Sequence, residues 1–158
     1  MKTKFSVFFL VLGLTILIFF PVLYNDVLIS QSFSLENKKT LTKNDTIYFA
    51  FSQKENVKIN MNIFFRINQD YKQYSNLFFF TYLINTELND TISIDTLQYL
   101  IYDKFGQCLG SGPSDIKTFE KNYKENYILK KGNYSLSIIH GMNNDIQGLQ
   151  NISLKINK

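Results

Sequence analysis

At 158 residues the chain is long enough for one domain with a core of its own and too short for two comfortable ones. The 17 Lys and Arg residues against 13 Asp and Glu give a net charge of +4 and a pI near 9.0. The lysines are scattered, however, and the densest group (Lys117, Lys121, Lys124, Lys130, Lys131) alternates with Glu120 and Glu125. That is a solvated face of mixed sign, not the basic stripe with interleaved aromatics that a nucleic-acid binder presents. With Cys108 as its one cysteine the chain forms no intramolecular disulfide. Arg66 is the only arginine, which together with the excess of Asn, Ile, Phe and Tyr points to AT-rich codon drift that inflates the formal charge.

The N-terminal stretch MKTKFSVFFLVLGLTILIFFPVLYND carries Lys2 and Lys4 and then no charge up to Asn25. Its apolar part, residues 5–23, has about the ~20 residues a bilayer-crossing helix needs and exceeds the ~7–15 of an ordinary signal-peptide core. Residues 1–25 therefore read as a signal anchor, an N-terminal hydrophobic helix. The two lysines put its start in the cytoplasm and the rest of the chain on the extracytoplasmic, periplasmic side. Cleavage as a signal peptide is the competing reading, with Ser30 and Ser32 as weak small residues after the run. No cysteine follows the run, which argues against lipid attachment of the bacterial lipoprotein kind. Residues 26–44 read as a linker into the domain.

From Thr46 on, the pattern is β. The runs TIYFAF, KINMNIFFRI, NLFFFTYLI, TISIDTLQYLIY, NYILK, NYSLSII and NISLKI are rich in Ile, Phe, Tyr and Thr, with polar turn residues between them. KINMNIF places Ile59, Met61 and Ile63 on one side and Lys58, Asn60 and Asn62 on the other, as a half-buried antiparallel strand does. Glu87 to Asp90 reads as a hairpin loop and Lys131-Gly132-Asn133 as a tight turn. The expectation is an all-β domain over residues 45–158, a two-sheet antiparallel β-sandwich of about seven or eight strands. Ile116, Phe119 and Tyr123 also fit helical spacing and suggest a helical turn or two. NLFFFTYLI is apolar on both faces, so it is either a central strand covered on both sides or a strand with one face for a partner.

GQCLGSGPSDI, residues 106–116, is the glycine-dense stretch and holds the cysteine. A phosphate loop would close with Lys-Ser or Lys-Thr, whereas Gly112 is followed by Pro113-Ser114-Asp115, whose acid repels phosphate. A cysteine nucleophile needs a base within reach, and His140 is the only histidine. The structural reading is a set of glycine-permitted turns, with Ser114 or Asp115 capping a helical turn at Ile116. One Cys and one His do not close a zinc site, and the aspartates lack calcium-loop spacing. No catalytic residue, metal site or cofactor is expected.

The order of motifs from about Asp45 onward resembles the GldH-type gliding-motility lipoproteins of the Bacteroidota. It is carried by Arg66, Asn68, Tyr71, Tyr74, Ser75, Asn76, Leu77 and Phe78, then by Asp95-Thr96-Leu97 and Asp103. The glycine stretch from Gly106 to Ile116, Gly132 to Tyr134, and Gly148 to Ile156 complete it. Two positions depart from the family: no cysteine stands near Leu23-Tyr24-Asn25-Asp26, where the family is lipidated, and Cys108 replaces a tryptophan. The resemblance implies a non-catalytic, membrane-tethered envelope accessory of gliding motility and type IX secretion. Its expected partners are the membrane, through the N-terminal segment, and other envelope proteins of that machinery. A glycan- or peptide-binding sandwich using an exposed aromatic strand is the alternative. Arg66, Tyr74, Asn76, Asp103, Gly106, Gly110, Gly112 and Asp115 are the structural or interface candidates. Arg66, kept where lysine fills the other basic positions, is expected to clamp Asp115, or second Asp103, through its planar guanidinium.

Overall fold

The computed structural model describes residues 27–35, 40–113 and 115–158. The expected N-terminal helix falls outside them. Among the described residues every regular element is a strand: β1 (Val27–Ser34), β2 (Thr40–Leu41), β3 (Ile47–Gln53), β4 (Val57–Asn68), β5 (Asn76–Asn85), β6 (Asp90–Leu100), β7 (Ile116–Leu129), β8 (Gly132–His140), β9 (Ile146–Gln147) and β10 (Leu149–Asn157). They form a four-stranded sheet β1-β10-β4-β7, a second β3-β8-β5-β6 and a short ladder β2-β9. All pairings are antiparallel.

Period-two alternation produces this arrangement, because successive side chains in a strand point to opposite faces. In β4, Ile59, Met61, Ile63, Phe65 and Ile67 are buried. In β3 the same is true of Ile47, Phe49 and Phe51, and in β10 of Ile152, Leu154 and Ile156. The buried faces of the two large sheets meet in one core. Phe65 stands at its centre: its ring lies 5.7 Å from Phe79 of β5, 4.7 Å from Tyr99 of β6 and 5.0 Å from Phe119 of β7. Across the same interface the Tyr99 hydroxyl donates to the Ile63 carbonyl at 3.2 Å, so a buried polar atom is satisfied.

Two expectations change. Residues 116–129 form a long strand paired along β4, from Ile116↔Asn68 to Leu129↔Val57, and no helical turn. A four-residue spacing puts Phe119 and Tyr123 on one face of a strand as well as of a helix, and Lys121 between them masked the alternation. Lys121 runs along the core-facing side, with its ammonium over the Tyr99 ring at 5.8 Å and donating to the Gln98 carbonyl at 2.8 Å. An aliphatic stem covers apolar surface there while the charge reaches the edge. Second, residues 27–34 of the expected linker are an edge strand, matched to β10 through pairs such as Ser30↔Lys155 and Ser32↔Ser153. Of the two readings of NLFFFTYLI, the structure takes the central position from the first and the open face from the second: β5 lies between β8 and β6, with Leu77, Phe79, Thr81 and Leu83 buried and Phe80 on the opposite side exposed.

Candidate functional site

The glycine stretch closes the domain. After β6 the chain doubles back as a small hairpin, with Asp103 N donating to Gln107 O at 3.0 Å and Leu109 N to Ile101 O at 2.9 Å around the bridge Tyr102↔Cys108. Asp103 builds its tip: Oδ1 accepts from Phe105 N and Gln107 N, both at 2.8 Å. Gly106, at φ 81°, supplies the left-handed residue that this tip requires. Ser111 then pairs with Thr118 through two backbone hydrogen bonds of 2.9 and 2.7 Å, covering the start of the open edge of β7. Gly110 sits where this cover crosses the core rim, and a Cβ there would stand 2.7 Å from the Phe119 ring. Gly112 follows at φ 116°, and its carbonyl accepts from Lys117 Nζ at 3.0 Å.

The remaining candidates do not converge on one point. Arg66 is exposed on the outer face of β4, between Thr118 and Asn151, and has no ion pair among the described residues. Asp115 accepts from Gln69 Nε2 at 2.7 Å and Asp103 from backbone, so the expected guanidinium clamp does not form. Tyr74 is half-buried in the β4–β5 loop. Asn76 opens β5 opposite Leu100, with its side-chain oxygen buried and unpartnered.

Cys108 and His140 share no hydrogen bond. His140 ends β8, 4% exposed, with Nδ1 accepting from Met142 N at 3.3 Å. Its Nε2 is buried and faces the Thr42 backbone without closing a bond of ordinary geometry. Burial pushes its pKa down; the Thr42 carbonyl, Asp145 and Asp45 pull the other way, and Lys43 adds to the fall. Asp45 Oδ2 already accepts from the Thr42 amide at 2.6 Å and hydroxyl at 2.9 Å, and Asp145 Oδ1 from Lys43 N at 3.1 Å. These acids serve to shape the backbone.

A polar group that sequence reasoning missed joins the two sheets along their β6–β7 edge. Lys124 of β7 pairs with Asp95 of β6 at 2.8 Å, and the Tyr123 and Ser93 hydroxyls lie 3.2 Å apart. Burial works against the Asp95 charge, but hydrogen bonds from Lys124 and Ser93 and the Lys124 charge outweigh it and hold the carboxyl below its usual range. Only the run of alternating Ser93, Asp95 and Leu97 hinted at inward polar groups.

The two outer faces differ in kind. On the β1-β10-β4-β7 sheet the rows across the strands read Ser30, Lys155, Asn62, Asn122 and Ser34, Asn151, Arg66, Thr118. They are linked by contacts such as Asn62 Nδ2 to Glu120 at 2.7 Å and Asn151 Nδ2 to Ser32 at 3.0 Å. On the other sheet they read Tyr48, Ser137, Tyr82, Ile94 and Ile139, Phe80, Thr96. No Asp, Glu, Lys or Arg occurs in β3, β5 or β8, and Asp95 of β6 turns away toward Lys124. Tyr48 is 65% exposed, Ile94 64% and Phe80 39%. The signal for this face was legible as the absence of charge from the NLFFFTYLI and NYSLSII runs, though not which side would stay open.

Fold and site together define an all-β domain of antiparallel sheets, with loops that serve its own closure and one uncharged face left outward. The GldH lipoprotein family model matches residues 29–156, and the chain belongs to that family. It is 35% identical over 114 residues to a gliding motility lipoprotein GldH homolog of Christiangramia forsetii, covering 70% of this chain and 68% of that one. Among solved structures, dimeric latent PorU from Porphyromonas gingivalis is similar over 85% of this chain at 10% identity and a TM-score of 0.39. This chain spans 13% of PorU's length. Eiger TNF from S. frugiperda is similar over 80% of this chain and 90% of that one, at 8% identity and a TM-score of 0.36. Among the described residues no helix is long and apolar enough to cross a membrane.

Proposed function

We propose that this chain is a membrane-tethered, non-catalytic accessory of the gliding apparatus and its type IX secretion machinery. Its N-terminal segment, residues 1–25, holds the β domain to the membrane on the periplasmic side. Membership of the GldH family over residues 29–156 carries the reading. The apolar, charge-free run of residues 5–23 behind Lys2 and Lys4 supports a protein tether in place of the lipid. The glycine stretch supports a role by contact rather than chemistry: its backbone is held in turns built by Asp103 and in cover over the β7 edge. The test is deletion of the gene in the native host, with colony spreading and release of type IX cargo scored, and the protein followed through envelope fractionation. Loss of spreading and retention of cargo, both restored by the gene in trans, are expected, with the protein in the membrane fraction. Unchanged spreading and secretion would overturn the reading.

A further inference from the structure

We infer that the uncharged outer face of β3-β8-β5-β6 is where two copies of this chain dock, sheet against sheet. The face is continuous across four strands, from Tyr48 through Ser137 and Tyr82 to Ile94, with Phe80 and Ile139 in the neighbouring row. Its most exposed side chains are large and apolar, at both lateral ends as well as on central β5. Apolar groups spread contiguously over a sheet face mark an interaction site, whereas scattered ones do not.

Charge selects the occupant. The chain carries +4, and its strand cations stand elsewhere: Lys58, Arg66 and Lys155 on the opposite sheet, Lys117, Lys121 and Lys124 on β7. Of the two sheet faces, this is the one on which a second copy can approach without bringing like charges together. An acidic or basic partner finds no counter-charge on it, and a phospholipid surface no lysine or arginine for its headgroups. The accessible polar groups, Ser135, Thr96 and Gln98, are neutral and can bond to their own kind across a two-fold axis, while Ser137 is buried within the sheet.

Size agrees with a two-fold contact. Four strands about 4.8 Å apart and about nine residues long span roughly 19 by 30 Å. That is on the order of 600 Å² in projection and more in accessible area, the scale of the ~800 Å² that each partner buries in a standard interface. Two such sheets stack about 10 Å apart with side chains interleaved.

The test uses the full chain in mild detergent, with its mass measured by sedimentation. A dimer is expected. Tyr48→Lys with Ile94→Lys, and separately Thr96→Arg, should raise its dissociation constant at least tenfold while leaving the far-ultraviolet circular dichroism of the wild type. Lys58→Glu, on the opposite sheet, should leave the dimer intact. A monomeric wild type overturns the inference, whether or not that monomer binds glycans or neutral vesicles through Tyr48 and Ile94. So does a dimer that survives both the double replacement and Thr96→Arg, since association would then run through another surface such as the N-terminal segment.

Discussion

Single atoms decide how tightly the glycine stretch lies on the core. At Gly110 a methyl group would meet the Phe119 ring at 2.7 Å and Lys117 Cβ at 2.8 Å, both inside van der Waals contact. Gly110→Ala should therefore cost about 1–3 kcal/mol, as overpacking does, read as a lower midpoint in urea; a loss below ~0.5 kcal/mol would mean that the cover is not tight. His140 gives a second test at this scale. Burial lowers its folded pKa below the ordinary value of about 6.5. Between the two values the unfolded chain holds the extra proton, so stability rises with pH through that window and is lost as pH falls below about 6.5. The urea midpoint should fall between about pH 7.5 and 5.5, and fall less in His140→Gln; an identical fall in that variant would assign the pH response to other groups. Neither role shows in the sequence. The glycines announce turns without saying what they turn around, and a lone histidine at a strand end gives no sign of a buried, unpartnered Nε2.

Among the elements, β4 organises the core, since it pairs with β10 and β7 and faces the other sheet through Phe65. Phe65→Ala leaves a cavity among three aromatic rings and should cost about 3–5 kcal/mol, a large part of the ~5–15 kcal/mol that holds an ordinary domain together. Denaturant unfolding checks it, and a cost near 1 kcal/mol would show that the rings collapse into the space. β4 was also the most legible element, because Lys58 to Ile63 alternate polar and apolar and only Phe64 breaks the pattern further on. The runs behind β3, β5, β6, β8 and β10 were found by their Ile, Phe, Tyr and Thr content between polar turn residues. β7 was found only at its C-terminal end, since Lys121 and Lys124 point inward and then reach out to β6. β1 was missed because VLISQSFS buries little of its own surface, and its partner β10 makes it a strand.

At the scale of the whole molecule, alternation could predict two packed sheets but not which outer face would remain dry. That depends on which strands share a sheet, and the sheets draw strands from distant parts of the chain. The position of β10 has a further result. It lies between β1 and β4, so the β1-β10-β4-β7 sheet has no contact between its first strand and its centre until residues 149–157 are in place. Such late, non-local closure makes folding slow relative to local hairpins. The β3-β8-β5-β6 sheet, by contrast, has all its strands once residue 140 is in place, so one half of the sandwich can assemble before the other is closed. Strand order thus makes β10 the fastener of the β1-β10-β4-β7 sheet: remove residues 149–157 and both β1 and the centre of that sheet lose a partner at once.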